Sequence, residues 1–175
     1  RFSADGAFLG YVGSVIDIDE RRASEQALAV SEERLRLATD AADIGFWDVD
    51  VVRDELIWPP RVKAMFGISA HVPVSMADFY AGLHPDDRDA TADAFAAACD
   101  PDRRALYDVE YRTVGKEDGV VRWVAAKGRA LFEGDRCVRV TGTAIDITER
   151  KRVEVSRSAR EERRRFLNDL DDALR

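Results

Sequence analysis

Two periods of apolar residues run along this chain. A period of two, the mark of a half-buried strand, holds from Gly45 to Asp50, from Asp108 to Val114, in part from Val120 to Leu131, and from Arg136 to Ile147. Glu55 to Trp58 adds a short strand after an Arg53-Asp54 turn and forms a hairpin with the first. Pro59-Pro60 ends it, because proline has no N–H for the ladder. Helical patterns fill the gap between these strands. Arg61 to Phe66 predicts a short helix stopped by Gly67, and Ser75 to Leu83 a second with Ser75 as N-cap. His84-Pro-Asp-Asp-Arg88 opens a longer helix to about Cys99, with Pro85 in the first turn and acids beside the positive end of the dipole.

Two charged helices flank this block. Glu20 to Thr39 is rich in Ala, Glu, Arg and Leu, and Leu28 and Leu35 stand seven apart, the narrow seam of a coiled coil rather than a broad core face. At the other end Val153, Arg160, Leu167 and Leu174 recur every seven residues, joined by Leu170, while Arg160 and Arg163 break the seam. A weak seam holds two packings of similar energy, which suits a switch.

One segment occurs twice. Gly13-Ser-Val-Ile-Asp-Ile-Asp-Glu-Arg-Arg22 aligns without a gap on Gly142-Thr-Ala-Ile-Asp-Ile-Thr-Glu-Arg-Lys151, with six of ten positions identical. Each copy follows a turn signal, Asp5-Gly6 or Gly134-Asp135, and each precedes a charged helical stretch. Asp17 and Asp146 stand three residues before Glu20 and Glu149, the spacing of a capping box. Such a cap is either a plain helix start or a joint that carries strand movement into a helix. Ahead of the first copy, Phe2, Phe8, Leu9 and Tyr11 belong to a sheet whose other strands are missing. The chain also opens on Arg1 within a strand-like pattern, so the expectation is a piece of a longer protein.

Composition narrows the chemistry. With 46% hydrophobic and 35% charged residues in 175, the chain has material for one core and some connecting helix. A net charge of −7 disfavours nucleic acid as a partner. The eight Arg or Lys against four Glu from Glu149 to Arg165 read as a solvated helix face. No apolar run is long enough to span a bilayer, and the expected location is the cytoplasm. Cys99 and Cys137 are distant in sequence and fit a reducing compartment. With only His71 and His84 besides, no metal site is expected.

Gly45-Phe-Trp-Asp, Leu83-His-Pro-Asp-Asp-Arg88, Glu110-Tyr-Arg112, Val121-Arg-Trp-Val124 and Gly142 to Lys151 occur in an order that resembles PAS domains of the PAS_3 type with their C-terminal PAC motif. The resemblance covers about Ser31 to Lys151, plus the last two strands of a preceding copy. It implies an α+β PAS fold: a five-stranded antiparallel sheet with short helices on one face, flanked by N- and C-terminal coiled-coil-like helices. The implied layout is 1–19, C-terminal strands of a preceding PAS/PAC domain; 20–38, a helical linker; 39–148, a complete PAS/PAC domain; and 149–175, a C-terminal signalling helix.

In that family an Asp-x-Thr at the strand–helix joint couples sensor to output, and it maps here to Asp146 and Thr148, with Glu149 beside them. The upstream copy keeps Asp17 and Glu20 but has Asp19 in place of Thr. Tandem arrays of this style resemble those of bacterial sensor histidine kinases, including the HWE type. No phosphoacceptor His on a helix and no glycine-rich ATP box occur, so a regulatory, non-enzymatic fragment is expected. The expected partners are a second copy of the chain, through Leu28, Leu35, Val153, Leu167, Leu170 and Leu174, and a downstream kinase or other output domain.

The resemblance also offers cofactors. A photochemical flavin requires an Asn-Cys-Arg-Phe motif where this chain reads Phe79-Tyr-Ala-Gly-Leu-His84. Haem requires a His on the long helix, and Asp86 to Cys99 has none; His84 reads as a structural residue at its start. Non-covalent FAD or FMN remains as an alternative, with Trp47, Trp58 and Trp123 as its candidate lining, although tryptophans on strands more often pack a core. Phe46 and Trp47 point to opposite faces, so only one meets an interior. No cofactor is predicted. The competing readings are a ligand-free protein-interaction module, a flavin redox sensor, and the sensor of a diguanylate cyclase or chemotaxis protein.

Overall fold

Asp54, at φ +55°, reverses the chain between β1 (Gly45–Asp50) and β2 (Glu55–Ile57). Asp50 Oδ1 fixes the turn by accepting the N–H groups of Val52 and Arg53 at 3.1 and 2.9 Å. This hairpin belongs to a computed structural model that describes residues 4–6 and 19–173, the side chains of Glu20, Asp40 and 166–173 excepted. Two units make up the chain, 1–40 and 41–175, and each is described by itself.

In the second unit α2 (Pro60–Met65), α3 (Met76–Gly82), a 3-10 turn (Pro85–Asp87) and α4 (Arg88–Cys99) follow the hairpin. Then come β3 (Tyr107–Val114), β4 (Val121–Glu133), β5 (Arg136–Asp146) and α5 (Thr148–Ala173). The strands form one antiparallel sheet in the order β2-β1-β5-β4-β3. Before the sheet in the chain, α1 spans Asp19–Ala41.

Most predicted boundaries hold within a residue or two. Ser75 caps α3 through a full capping box with Asp78, and Gly67 closes α2 in the left-handed region at φ +57°. The helix expected to open at His84 is a correction. Residues 85–87 form a separate 3-10 turn, and α4 starts at Arg88, because the Asp87 carboxylate is turned onto β3 instead of capping. His84 accepts the Asp86 N–H at 3.4 Å through Nδ1, a structural role at that turn.

One sheet face is covered by helices. Trp47, Val49, Tyr107, Tyr111, Val124, Ala126, Val140 and Ala144 meet Val62, Met65, Phe66, Phe79, Leu83 and Ala98 there. Burying a side chain as large as Phe66, 1% exposed, contributes about 1.5–3 kcal/mol. Gly142 has a packing reason. The Trp47 indole lies over Gly128 and Gly142, register partners on β4 and β5, and a Cβ at either would meet the ring at 2.5 or 2.6 Å. Phe46, pointing the other way, is exposed, as the strand alternation predicts.

Candidate functional site

Where β5 passes into α5, β4 grips the chain with both backbone groups of one residue. Ile147 N–H donates to the Trp123 carbonyl at 2.8 Å, and the Trp123 N–H donates to Thr148 Oγ1 at 2.9 Å. Thr148 donates in turn, through its hydroxyl at 2.5 Å and its N–H at 2.8 Å, to Asp146 Oδ1. The hydroxyl thus stands between a strand amide and a carboxylate, and Asp146 and Thr148 are brought together as the motif implies.

The capping box itself does not form. The Lys151 N–H bonds the Ile147 carbonyl at 3.0 Å, so buried Ile147 takes the cap position and Asp146 lies one residue too early, paired with Val124 across the sheet. Glu149 turns outward to Arg152, 3.7 Å away, and is largely exposed. Upstream, Asp17 lies outside the described residues, as does the Glu20 side chain.

Around this joint is a group of residues that sequence reading missed as a unit. Glu110 on β3 receives Arg150 at 2.5 Å and Lys151 at 2.7 Å, both from the first turn of α5. These cations hold the Glu110 carboxyl below its ordinary range. Trp123 lies on the outer sheet face, with Lys151 Nζ 5.0 Å and Arg112 Cζ 5.5 Å from its ring centroid. It is therefore no lining of an interior pocket. Its alternation with buried Val124 carried the signal for this.

Trp47 and Trp58 do meet at one interior cavity, of about 20 Å³, with Val49, Phe79, Tyr107 and Tyr111. That is room for about one water molecule. The rings are packed against neighbours, Trp58 on Phe66 at 4.3 Å and Trp47 edge-on to Tyr107 at 5.6 Å, and Trp47 Nε1 donates to the Thr143 carbonyl. An isoalloxazine has no space beside them without repacking. Burial pushes the Tyr107 and Tyr111 phenols well up. Cys99 and Cys137, distant in sequence, lie beside each other; burial, then the neighbouring thiol, pushes Cys99 up to about 12. Among the described residues no group of His, Cys, Asp or Glu converges as a metal site, and no helix is long and apolar enough to cross a membrane.

The seam residues are exposed where they are described. Leu28 and Leu35 on α1 are 60% and 63% accessible, and Val153 on α5 is 59%. Leu174 and the side chains of Leu167 and Leu170 lie outside the described residues.

Known proteins share this architecture. The sensor protein FixL of Bradyrhizobium diazoefficiens is 28% identical over 144 residues, 81% of this chain and 28% of FixL. The probable diguanylate cyclase DgcE of Escherichia coli is 26% identical over 149 residues, 85% of this chain and 13% of DgcE. The chain thus spans less than a third of either relative. A crystal structure of a sensory box histidine kinase/response regulator from Burkholderia thailandensis superposes with a TM-score of 0.63 at 34% identity, covering 75% of this chain and 98% of that one. The PAS_3 family, described as a PAS fold, matches residues 55–144, half of the sequence. With its five-stranded sheet, one-sided helices and closing Asp-x-Thr, the chain belongs to the PAS_3 family, the PAS sensor domains of signalling proteins.

Proposed function

We propose that the chain is the sensory and dimerisation segment of a cytoplasmic bacterial signal-transduction protein, passing a change at the sheet through Asp146 and Thr148 into α5 and a downstream histidine kinase. The observation that carries this reading is the Trp123 N–H donated to Thr148 Oγ1, which ties strand β4 to the first residue of a 26-residue helix. With no free residue between β5 and the cap, strand displacement and helix displacement are one event. A coupling of about 1–3 kcal/mol is enough to bias a helix pair with two packings. The likeness to the Burkholderia sensory box histidine kinase/response regulator supports a kinase output. The likeness to DgcE supports a diguanylate cyclase in its place. The sequence layout supports a preceding PAS/PAC end at 1–19 and a parallel homodimer through the two flanking helices.

Replacing Thr148 by Val removes the acceptor of the Trp123 amide. Amide exchange from Lys151 to Val155 is expected to rise about fivefold or more while the sheet keeps its protection. Unchanged exchange in that turn defeats the reading. A second reading, an interaction module without a small ligand, is favoured by the 20 Å³ cavity. Native mass spectrometry separates the two, since a retained small molecule excludes the interaction module.

A further inference from the structure

The Asp146–Thr148 joint holds α5 from the β4–β5 side. A second set of contacts reaches the same turn from the opposite direction. Asp87, at the start of α4, accepts the Arg112 backbone N–H at 2.8 Å and its guanidinium at 2.9 Å (Nε) and 2.7 Å (Nη2). The His84 N–H closes the loop by donating to the Arg112 carbonyl at 2.8 Å. The start of α4 is therefore bolted to β3 at one residue, by a two-pronged ion pair and two backbone bonds. Directly across the β3–β4 ladder, Arg112 faces Trp123, its guanidinium 5.5 Å from the ring. Lys151 of α5 meets the same indole at 5.0 Å, and its ammonium is shared with Glu110, two residues before Arg112 on the same strand face.

Resting on the proposed relay through α5, we infer that Asp87, Arg112, Trp123, Lys151 and Glu110 form a second line of transmission, from α4 across the outer sheet face to the first turn of α5. The line starts on the element that closes the interior: Ala98 of α4 is in the core, and Phe95 lines the cavity. Filling or collapse of that cavity moves α4. The Asp87–Arg112 clasp carries the movement onto β3, and the indole, held by cations from two elements, carries it to α5. It needs no displacement of the Asp146–Thr148 hydrogen bonds. Asp87 does not touch α5, so an effect of Asp87 on α5 is a coupling and not a lost contact.

The test is amide exchange on the whole 175-residue chain, comparing wild type with Asp87→Asn, Arg112→Lys, Trp123→Leu, Thr148→Val, and each charge variant combined with Trp123→Leu. Arg112→Lys keeps the charge and loses the fork, and it carries the test if Asp87→Asn does not fold. The expectation is that either charge variant speeds exchange at Lys151 to Val155 by about threefold to tenfold, and that the increment disappears in the Trp123→Leu background. An increment that survives Trp123→Leu overturns the inference, because the path then bypasses the indole. If Thr148→Val loosens α5 and both charge variants leave it as in wild type, the second line falls and the Asp146–Thr148 reading stands. If Thr148→Val also leaves α5 unmoved, the relay reading falls with it.

Discussion

Gly142 sits where two constraints meet, which is why no other residue serves there. An added Cβ would stand 2.0 Å from the Lys127 carbonyl oxygen and 2.6 Å from the Trp47 ring, so backbone and indole both block it. At Gly128 a Cβ would meet the ring end at 2.5 Å, but the nearest backbone atom among its closest neighbours, the Thr141 carbonyl oxygen, stands at 3.0 Å. Gly142→Ala is therefore expected to cost about 1–3 kcal/mol or more through overpacking, with Gly128→Ala lower in the same range. Urea unfolding followed by tryptophan fluorescence measures both, and equal midpoints for wild type and Gly142→Ala contradict the packing. In the sequence, Gly13 and Gly142 occupy the same position of the repeat.

Between elements the clasps are ionic, and their pH dependence has a definite sign. Arg112 holds the Asp87 carboxyl below its usual range, Lys151 and Arg150 do the same for Glu110, and Arg122 lowers Asp118 to about 2. A carboxylate with a depressed folded-state pKa adds stability above its unfolded value, about 4, and loses it as pH falls through the folded value. The urea midpoint is thus expected to hold steady down to about pH 5 and to decline between about pH 4 and 2. Asp87→Asn flattens part of that decline. A midpoint that climbs on acidification refutes the assignment. These clasps show which links a sequence hides. The strands, the α3 cap and the Asp146–Thr148 pairing depend on neighbours two or three residues apart, and period and motif expose them. Arg112 meets Asp87 and Trp123 only after the sheet has folded, and Cys99 meets Cys137 only through the docking of α4 on the sheet. Contacts made by tertiary geometry leave no local periodicity. The capping box failed for a related reason: Ile147 is drawn into the cap position by burial and by its bond to Trp123, which spacing alone does not register.

At the scale of the molecule, the sheet and its covering helices account for the core, and among the described residues neither α1 nor α5 contributes one to it. On α1 Leu28 and Leu35 are exposed, and on α5 every described side chain from Arg152 to Arg165 is exposed, Val153 and Val155 included. Helical stability in proteins comes mostly from packing an apolar face, so such helices call for a cover. A second copy of the chain supplies one by symmetry, since identical seams are self-complementary in a parallel pair. Light scattering at micromolar concentration is expected to give twice the chain mass, with helicity in the far ultraviolet falling on dilution. Leu28→Glu with Leu35→Glu places charges in the seam and is expected to shift the protein to monomer without lowering the urea midpoint of the sheet, whose core contains neither residue. A wild-type monomer that keeps its full helix signal removes the homodimer from the proposed function. The α4-to-α5 coupling lies wholly within one chain and is untouched by that result, so the two experiments together locate the switch either between copies or within each.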